Sequence, residues 1–125
     1  MRKDWDKKYN ATHKEQRAEH RAYLKANDKH YNAGALVRRY RQSDLKYGRG
    51  ECTLTAEWVE NNIYTKECLY CGESDWHELG CDRIDNSKPH TPGNVVPCCK
   101  RCNERRQRRE FIPYFSERFM ETILE

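Results

Sequence analysis

Long apolar runs are missing from this sequence, and apolar residues of any kind are few. Hydrophobic residues make up 36% of the 125 residues and charged residues 35%, and the mean hydropathy is −1.22. No run approaches the roughly 20 apolar residues of a membrane-spanning helix, and the first residues hold no signal-peptide stretch. We therefore expect a cytoplasmic protein with no membrane partner. So small a supply of core residues leaves little stability beyond the conformational entropy lost on folding.

Seven cysteines are available to compensate for the sparse core. An odd number in a chain without secretory features argues against a disulfide framework, because intracellular thiols stay reduced. Four of them form two Cys-x-x-Cys pairs, Cys68 with Cys71 and Cys99 with Cys102. One such pair alone is also compatible with a redox role, but two complete the tetrahedron of a structural Zn²⁺ site. Cys98 competes with Cys99 as a ligand, and the spacing to Cys102 favours Cys99.

Charge is unevenly distributed along the chain. Residues 1–47 carry 13 Lys and Arg against 6 Asp and Glu, a net +7, whereas residues 48–125 carry 11 against 14, a net −3. Between Lys14 and Asp44 the composition is helical and free of proline, which predicts a basic α-helical arm over 1–47. Such an arm favours attraction to a polyanion, although a merely solvated helix has the same composition. Gly48 and Gly50 mark the boundary with the body, 48–125.

The sequence of the body predicts an α+β fold built from short helices and strands. Thr53 or Thr55 caps a first short helix. Strand-like segments near residues 81–84 and 94–96 flank a loop that is dense in turn-forming residues. The second Cys-x-x-Cys pair then leads into a basic helix. The order is therefore β-hairpin, cysteine turn and helix.

Basic residues dominate this last helix and are predicted to contact the DNA backbone. They are Lys100, Arg101, Arg105, Arg106, Arg108 and Arg109. Near the end of the sequence Pro113 can open a short C-terminal helix. In it Phe115, Phe119 and Ile123 recur every four residues, which indicates core packing or a homodimer contact.

Residues 67–109 resemble the HNH endonucleases, also called ββα-metal or His-Me finger nucleases, and in particular a zinc-containing bacterial and phage subgroup. The resemblance rests on Asp-Arg-Ile-Asp-Asn at 82–86, Thr-Pro-x-Asn-Val-Val at 91–96, both cysteine pairs and the Asn after the last Cys. It implies a ββα-metal finger with a structural zinc held by four cysteines. It also implies hydrolysis of double-stranded DNA, by nicking or double-strand cleavage, to 5′-phosphate and 3′-hydroxyl ends. The role would be restriction, homing or repair in a bacterial or phage-infected cell.

Site residues follow from the same resemblance. Asp82 and Asn103 match the ligands of a catalytic Mg²⁺ or Mn²⁺ ion, and Asn94 matches the asparagine that braces the loop. One carboxylate and one amide leave most of the coordination sphere to water and phosphate oxygens, as Mg²⁺ prefers. Arg83 stands where most of the family has a histidine base, and a guanidinium cannot accept a proton near neutral pH. Arg83 would instead bind the scissile phosphate.

The general base therefore stays open at the level of sequence. His90 is the first candidate because it lies in the hairpin loop. The others are His77, Tyr64, Tyr70 and a metal-bound hydroxide.

Two functions compete with the endonuclease. A non-catalytic zinc-knuckle module that binds nucleic acid is supported by Arg83, whereas a zinc-stapled protein-interaction domain is disfavoured by the basic helix and arm. Asp82 and Asn103 favour the enzyme, since a pure binding module needs no hard-metal pair beside its zinc.

Overall fold

A computed structural model describes residues 2–107, 110–111 and 113–116, and the side chains of these residues from position 13 onward. The elements with defined bounds are α1 (Arg2–Asn27), α2 (Lys29–Lys46), α3 (Ala56–Asn62), β1 (Leu79–Arg83), β2 (Val95–Cys99) and α4 (Lys100–Arg106). Single 3-10 turns, Trp76–Glu78 and Pro92–Asn94, precede the two strands. The predicted α+β class is confirmed. Within the described part of the chain, no helix is both long and apolar enough to span a membrane.

The basic N-terminal segment forms two helices that join at Asp28. Its backbone is extended, and its carboxylate accepts a hydrogen bond of 2.9 Å from the N–H of Tyr31, so that it caps α2. The side-chain amide of Asn32 donates to the carbonyls of Leu24 and Lys25 at the end of α1. The side chains of Asp28 and Asn32 thus bond to backbone groups at the junction and interrupt the helix, although the composition of the whole segment favours a helix.

Helix α2 belongs to the body of the protein. Ala33 and Val37 are buried in the same apolar cluster as the residues of α3 and the strands. The hydroxyl of Tyr40 accepts a hydrogen bond of 2.7 Å from the backbone N–H of Cys81 in β1. Part of the basic arm predicted over 1–47 therefore contributes to the core through α2. Gly48 lies just after the end of this helix.

The short helix α3 begins as the sequence predicts. Of the two possible caps, Thr55 is the one that is used, and its hydroxyl accepts from the N–H of Trp58 at 3.1 Å. Val59 and Ile63 then point into the core.

Strands β1 and β2 form an antiparallel hairpin in which Leu79 pairs with Cys99 and Arg83 with Val95. The side chain of Asn94 holds the long loop between them. Its carbonyl oxygen accepts from the N–H of Asp85 at 2.8 Å, and its amide donates to carbonyls on both arms of the loop, including that of Pro89 at 3.0 Å. The loop is thereby fixed although it contains little secondary structure.

The C-terminal part of the described chain also contributes to the core. Residues 113–116 are helical, Tyr114 is buried and Phe115 packs against the core cluster. Phe119 and Ile123 lie outside the described residues, as do Arg108 and Arg109.

Candidate functional site

Four cysteine sulfurs meet between the first cysteine turn and the start of α4. The Sγ atoms of Cys68, Cys71, Cys99 and Cys102 all lie within 4.8 Å of one another, and those of Cys71 and Cys99 are 3.6 Å apart. Tetrahedral zinc with Zn–S bonds of about 2.3 Å requires sulfurs about 3.8 Å apart. The predicted set of four cysteines is confirmed as a group whose donor chemistry and spacing fit Zn²⁺.

Each cysteine turn directs backbone N–H groups at its first sulfur. Cys68 Sγ accepts from the N–H groups of Tyr70 and Cys71, and Cys99 Sγ accepts from the N–H of Cys102 at 3.4 Å. A hydrogen bond from the neighbouring Cys98 thiol, together with these backbone bonds, lowers the pKa of Cys68 to about 3. The thiolate is the form that binds zinc.

The first turn also depends on one glycine. Gly72 has a φ of +80°, in the left-handed region, and its N–H donates to the carbonyl of Cys68 at 2.9 Å. A side chain at this position would strain the turn that presents the first two sulfurs.

A zinc ion held by four thiolates has no open coordination position, so its role would be structural. It would tie the loop at residues 68–71 to the junction of β2 and α4. The guanidinium of Arg101, which the sequence assigns to DNA, hydrogen-bonds to Cys71, and this contact raises the pKa of Arg101. Part of its charge therefore balances the thiolates.

The carboxylate of Asp82, the predicted ligand of a catalytic cation, is enclosed by other side chains. Asp82 is only 6% exposed. Its Oδ2 accepts from the hydroxyl of Tyr70 at 2.6 Å and from Nη1 of Arg106 at 2.5 Å. Burial, and then the bond to Asp82, raises the pKa of Tyr70. Tyr70 therefore stays protonated as a donor and does not serve as a general base.

The position of Arg106 corrects one of the predictions. It is completely buried, so it is not a DNA contact on the surface of α4. It also donates to the carbonyl of Arg83 and, at 3.3–3.4 Å, to the carbonyl of Ile84 and the side chain of Asn86. Four residues after Cys102, Arg106 shares the helix face that packs on the hairpin.

The same contacts give no support to a divalent cation on Asp82. A metal ion there would lie beside a full positive charge that already occupies one of the two carboxylate oxygens. Asn103, the expected second ligand, is exposed and lines a cleft that Asp82 does not line. The contacts of the described residues therefore give no support to the predicted Mg²⁺ or Mn²⁺ site on Asp82 and Asn103.

A different polar cluster lies between α2 and the hairpin loop. Nδ1 of His90 is 2.9 Å from Oδ2 of Asp44, and the backbone N–H of His90 donates to the same carboxylate. Asp44 is fully buried and also accepts from Nε of Arg49 at 2.9 Å. The ring of Tyr40 stacks on the His90 ring with centroids 3.9 Å apart. The imidazole is thus fixed in position from the side and from one face.

Electrostatics keep this histidine neutral. Burial lowers the pKa of His90 below 6.5; the Asp44 carboxylate opposes this shift, and the charges of Arg83 and Arg49 add to it. Burial disfavours the ionised form of Asp44, but hydrogen bonds from His90 and Arg49 outweigh it and lower the pKa of Asp44. Near pH 7 a neutral imidazole donates Nδ1–H to a carboxylate and keeps a lone pair on Nε2.

Asp44, Arg49 and Tyr40 were not identified as site residues from the sequence. Asp44 is 46 positions away from His90, and no local spacing connects them. One signal was present: Asp44 is the only acidic residue between positions 29 and 50. An isolated carboxylate in a basic helix indicates a specific partner.

The remaining predicted residues lie apart from this cluster. Both ring nitrogens of the exposed His77 already contact oxygens, those of Ala26 at 2.7 Å and Asp75 at 2.8 Å. Burial raises the pKa of Tyr64 to about 12, which makes it a poor base. Lys100 and Arg105 are exposed on α4.

No family model matches the chain, and no curated protein matches it either.

Proposed function

We propose that this chain is a zinc-stabilised DNA endonuclease of the HNH type in which His90 is the general base. The observation that carries the proposal is the buried pair of Asp44 and His90 beside two guanidinium groups, Arg49 and Arg83. The hairpin, cysteine turn and helix support it, because they occur in the order of the ββα-metal finger.

The cluster has the groups that phosphodiester hydrolysis needs. His90 Nε2 would take a proton from water as the water oxygen bonds to phosphorus and the bond to the 3′ oxygen breaks. The leaving oxygen would take a proton from solvent, giving 5′-phosphate and 3′-hydroxyl ends. Asp44 would hold the imidazole in the correct tautomer and stabilise its protonated form. Arg83 would neutralise charge on the phosphate, and Arg49 would keep its ion pair with Asp44.

A second candidate is a zinc-containing module that binds nucleic acid without cleaving it. The ion pair of Asp82 with Arg106 favours this function, because it occupies the carboxylate that an HNH enzyme uses for its cation.

Nicking of supercoiled plasmid by zinc-loaded protein separates the two candidates. The assay is run with and without added Mg²⁺ or Mn²⁺, and the chemistry of the ends is determined. We expect nicking by the wild-type chain and at least a roughly 100-fold slower rate for His90→Asn, which can still donate to Asp44 but cannot accept a proton.

His30→Ala is the matched control, because His30 is an exposed histidine whose only described side-chain partner is Glu60. Its nicking rate should equal that of the wild type. DNA binding without any nicking by the wild-type chain would establish the second candidate instead.

A further inference from the structure

A cleft of about 600 Å³ runs between the two N-terminal helices and the hairpin with α4. Three cations line it from three different elements: Lys25 of α1, Arg39 of α2 and Lys100 of α4. Among the described residues, no aspartate or glutamate lines it. The fold thus gathers positive charge from distant parts of the sequence into one concave surface.

These three cations differ from the arginines inside the protein. Arg49 and Arg106 form ion pairs with buried carboxylates. Among the residues that the structure describes, Lys25, Arg39 and Lys100 form no ion pair, and all three side chains are exposed. Converging cations without local counter-ions attract an anionic ligand that crosses all three elements.

The lining of the cleft is polar and apolar in about equal parts. Its apolar and aromatic part, which we call the floor, includes Leu36, Tyr40, Leu79 and Gly80. A Cβ atom on Gly80 would come within 2.9 Å of the Tyr40 hydroxyl, so glycine allows the helix to approach the strand this closely. Tyr40 is also the ring that stacks on His90. One residue of the cleft therefore contacts the proposed general base.

Its size selects one form of nucleic acid. A volume of 600 Å³ is that of a pocket enclosing a small ligand. A duplex, whose major groove alone is about 12 Å wide, would contact only the rim of such a space, whereas a single strand is narrow enough to lie within it. A cationic cleft with an apolar and aromatic floor is instead the arrangement that holds the phosphates and base faces of a single strand.

We infer that this cleft binds a single, unpaired strand of the nucleic acid, with its phosphates at Lys25, Arg39 and Lys100 and its bases against the apolar floor. The identity of the polyanion as nucleic acid rests on the proposed function. The three cations would contact phosphate alone, so we expect binding without preference for base sequence.

Two adjacent arginines of α2 provide the test. Arg39 lines the cleft, whereas Arg38 is also exposed and does not line it. Binding of a fluorescent single-stranded oligonucleotide, and of the matching duplex, is measured by anisotropy over a range of salt concentrations for wild type, Arg39→Ala and Arg38→Ala.

The wild-type chain should bind the single strand more tightly than the duplex. Arg39→Ala should weaken single-strand binding about 5- to 10-fold at low salt and reduce the slope of log K against log salt by about 0.7, the value for one lost phosphate contact. Arg38→Ala should change neither quantity.

Equal effects of the two substitutions, or tighter binding of the duplex, would overturn the assignment of the cleft. If single-strand binding depends on Arg39 but the protein never nicks plasmid, the endonuclease would be refuted and the assignment of the cleft would still hold. If the protein nicks plasmid but Arg38→Ala and Arg39→Ala weaken single-strand binding equally, the endonuclease would be supported and the cleft assignment refuted.

Discussion

The two sides of the hairpin contain similar residue types but use them differently. On the α4 side, Asp82 is surrounded by Tyr70 and Arg106, and its Oδ2 accepts two strong hydrogen bonds. On the α2 side, Asp44 orients His90 through Nδ1, which leaves Nε2 as a proton acceptor. Both carboxylates are buried and hydrogen-bonded, but the partners of Asp82 are a tyrosine and an arginine, whereas one partner of Asp44 is an imidazole. We call the surroundings of Asp82 the structural side of the hairpin and those of Asp44 and His90 the proposed reactive side.

Zinc removal should produce the largest effect, because the structural side depends on four thiolates. Structural zinc contributes on the order of 10 kcal/mol of apparent binding free energy in small domains. Cys102→Ser, or chelation, should abolish cooperative thermal unfolding and make the chain sensitive to protease.

Cys52→Ser is the control for zinc removal, because Cys52 is buried but lies outside the four-cysteine group. It should retain one zinc per chain in a metal analysis. A cooperative transition that survives complete removal of zinc would show that the core is sufficient without the metal.

Replacing Arg106 should have the next largest effect on stability. Arg106→Ala leaves the Asp82 carboxylate buried without its cation, a change that costs about 3–5 kcal/mol in the free energy of unfolding. Arg105→Ala, at the exposed neighbouring position, should stay within about 0.5 kcal/mol of wild type. Urea denaturation measures both, and similar values for the two variants would contradict the structural role of the Asp82 pair.

These two predictions also show how much of the site could be obtained from sequence. The zinc group could be predicted, because Cys68, Cys71, Cys99 and Cys102 lie in two local turns with a fixed spacing. The hairpin and the helix after it could be predicted for the same reason, from turn residues and short strand-like segments.

The position of Arg106 could not be predicted from local pattern. Its neighbours Arg105 and Lys100 are exposed, and composition alone does not distinguish the helix face that packs on the hairpin. The pair of Asp44 and His90 was out of reach as well, because it exists only once α2 packs against the loop after β1. The sequence suggested His90 as a base for its place in the loop but not the carboxylate that orients it.

The smallest expected effect is a shift in the pH dependence of nicking, and it tests the role of His90 on the proposed reactive side. The rate should be constant above pH 6.5 and fall as pH decreases through the pKa of His90, which burial places below 6.5, because the protonated imidazole cannot accept a proton. Arg83→Gln removes a charge that lowers this pKa, so the acid limb should move to higher pH.

The shift of the acid limb is independent of any loss of rate in Arg83→Gln. Lys88→Gln serves as a control on the same loop, since Lys88 is exposed and pairs with Asp85, and its profile should match that of the wild type. An identical acid limb in all three proteins would mean that the titrating group is not His90.

The most direct test of the account compares the two sides in one nicking assay. The double variant Asp82→Asn with Arg106→Gln removes both charges of the structural side, and His90→Asn removes the base of the reactive side. Each is assayed at a temperature where circular dichroism shows the protein folded. We predict that the double variant nicks plasmid within about 5-fold of the wild-type rate and that His90→Asn is at least about 100-fold slower. Loss of nicking in the folded double variant, with normal activity in His90→Asn, would place the chemistry at Asp82 and contradict the account.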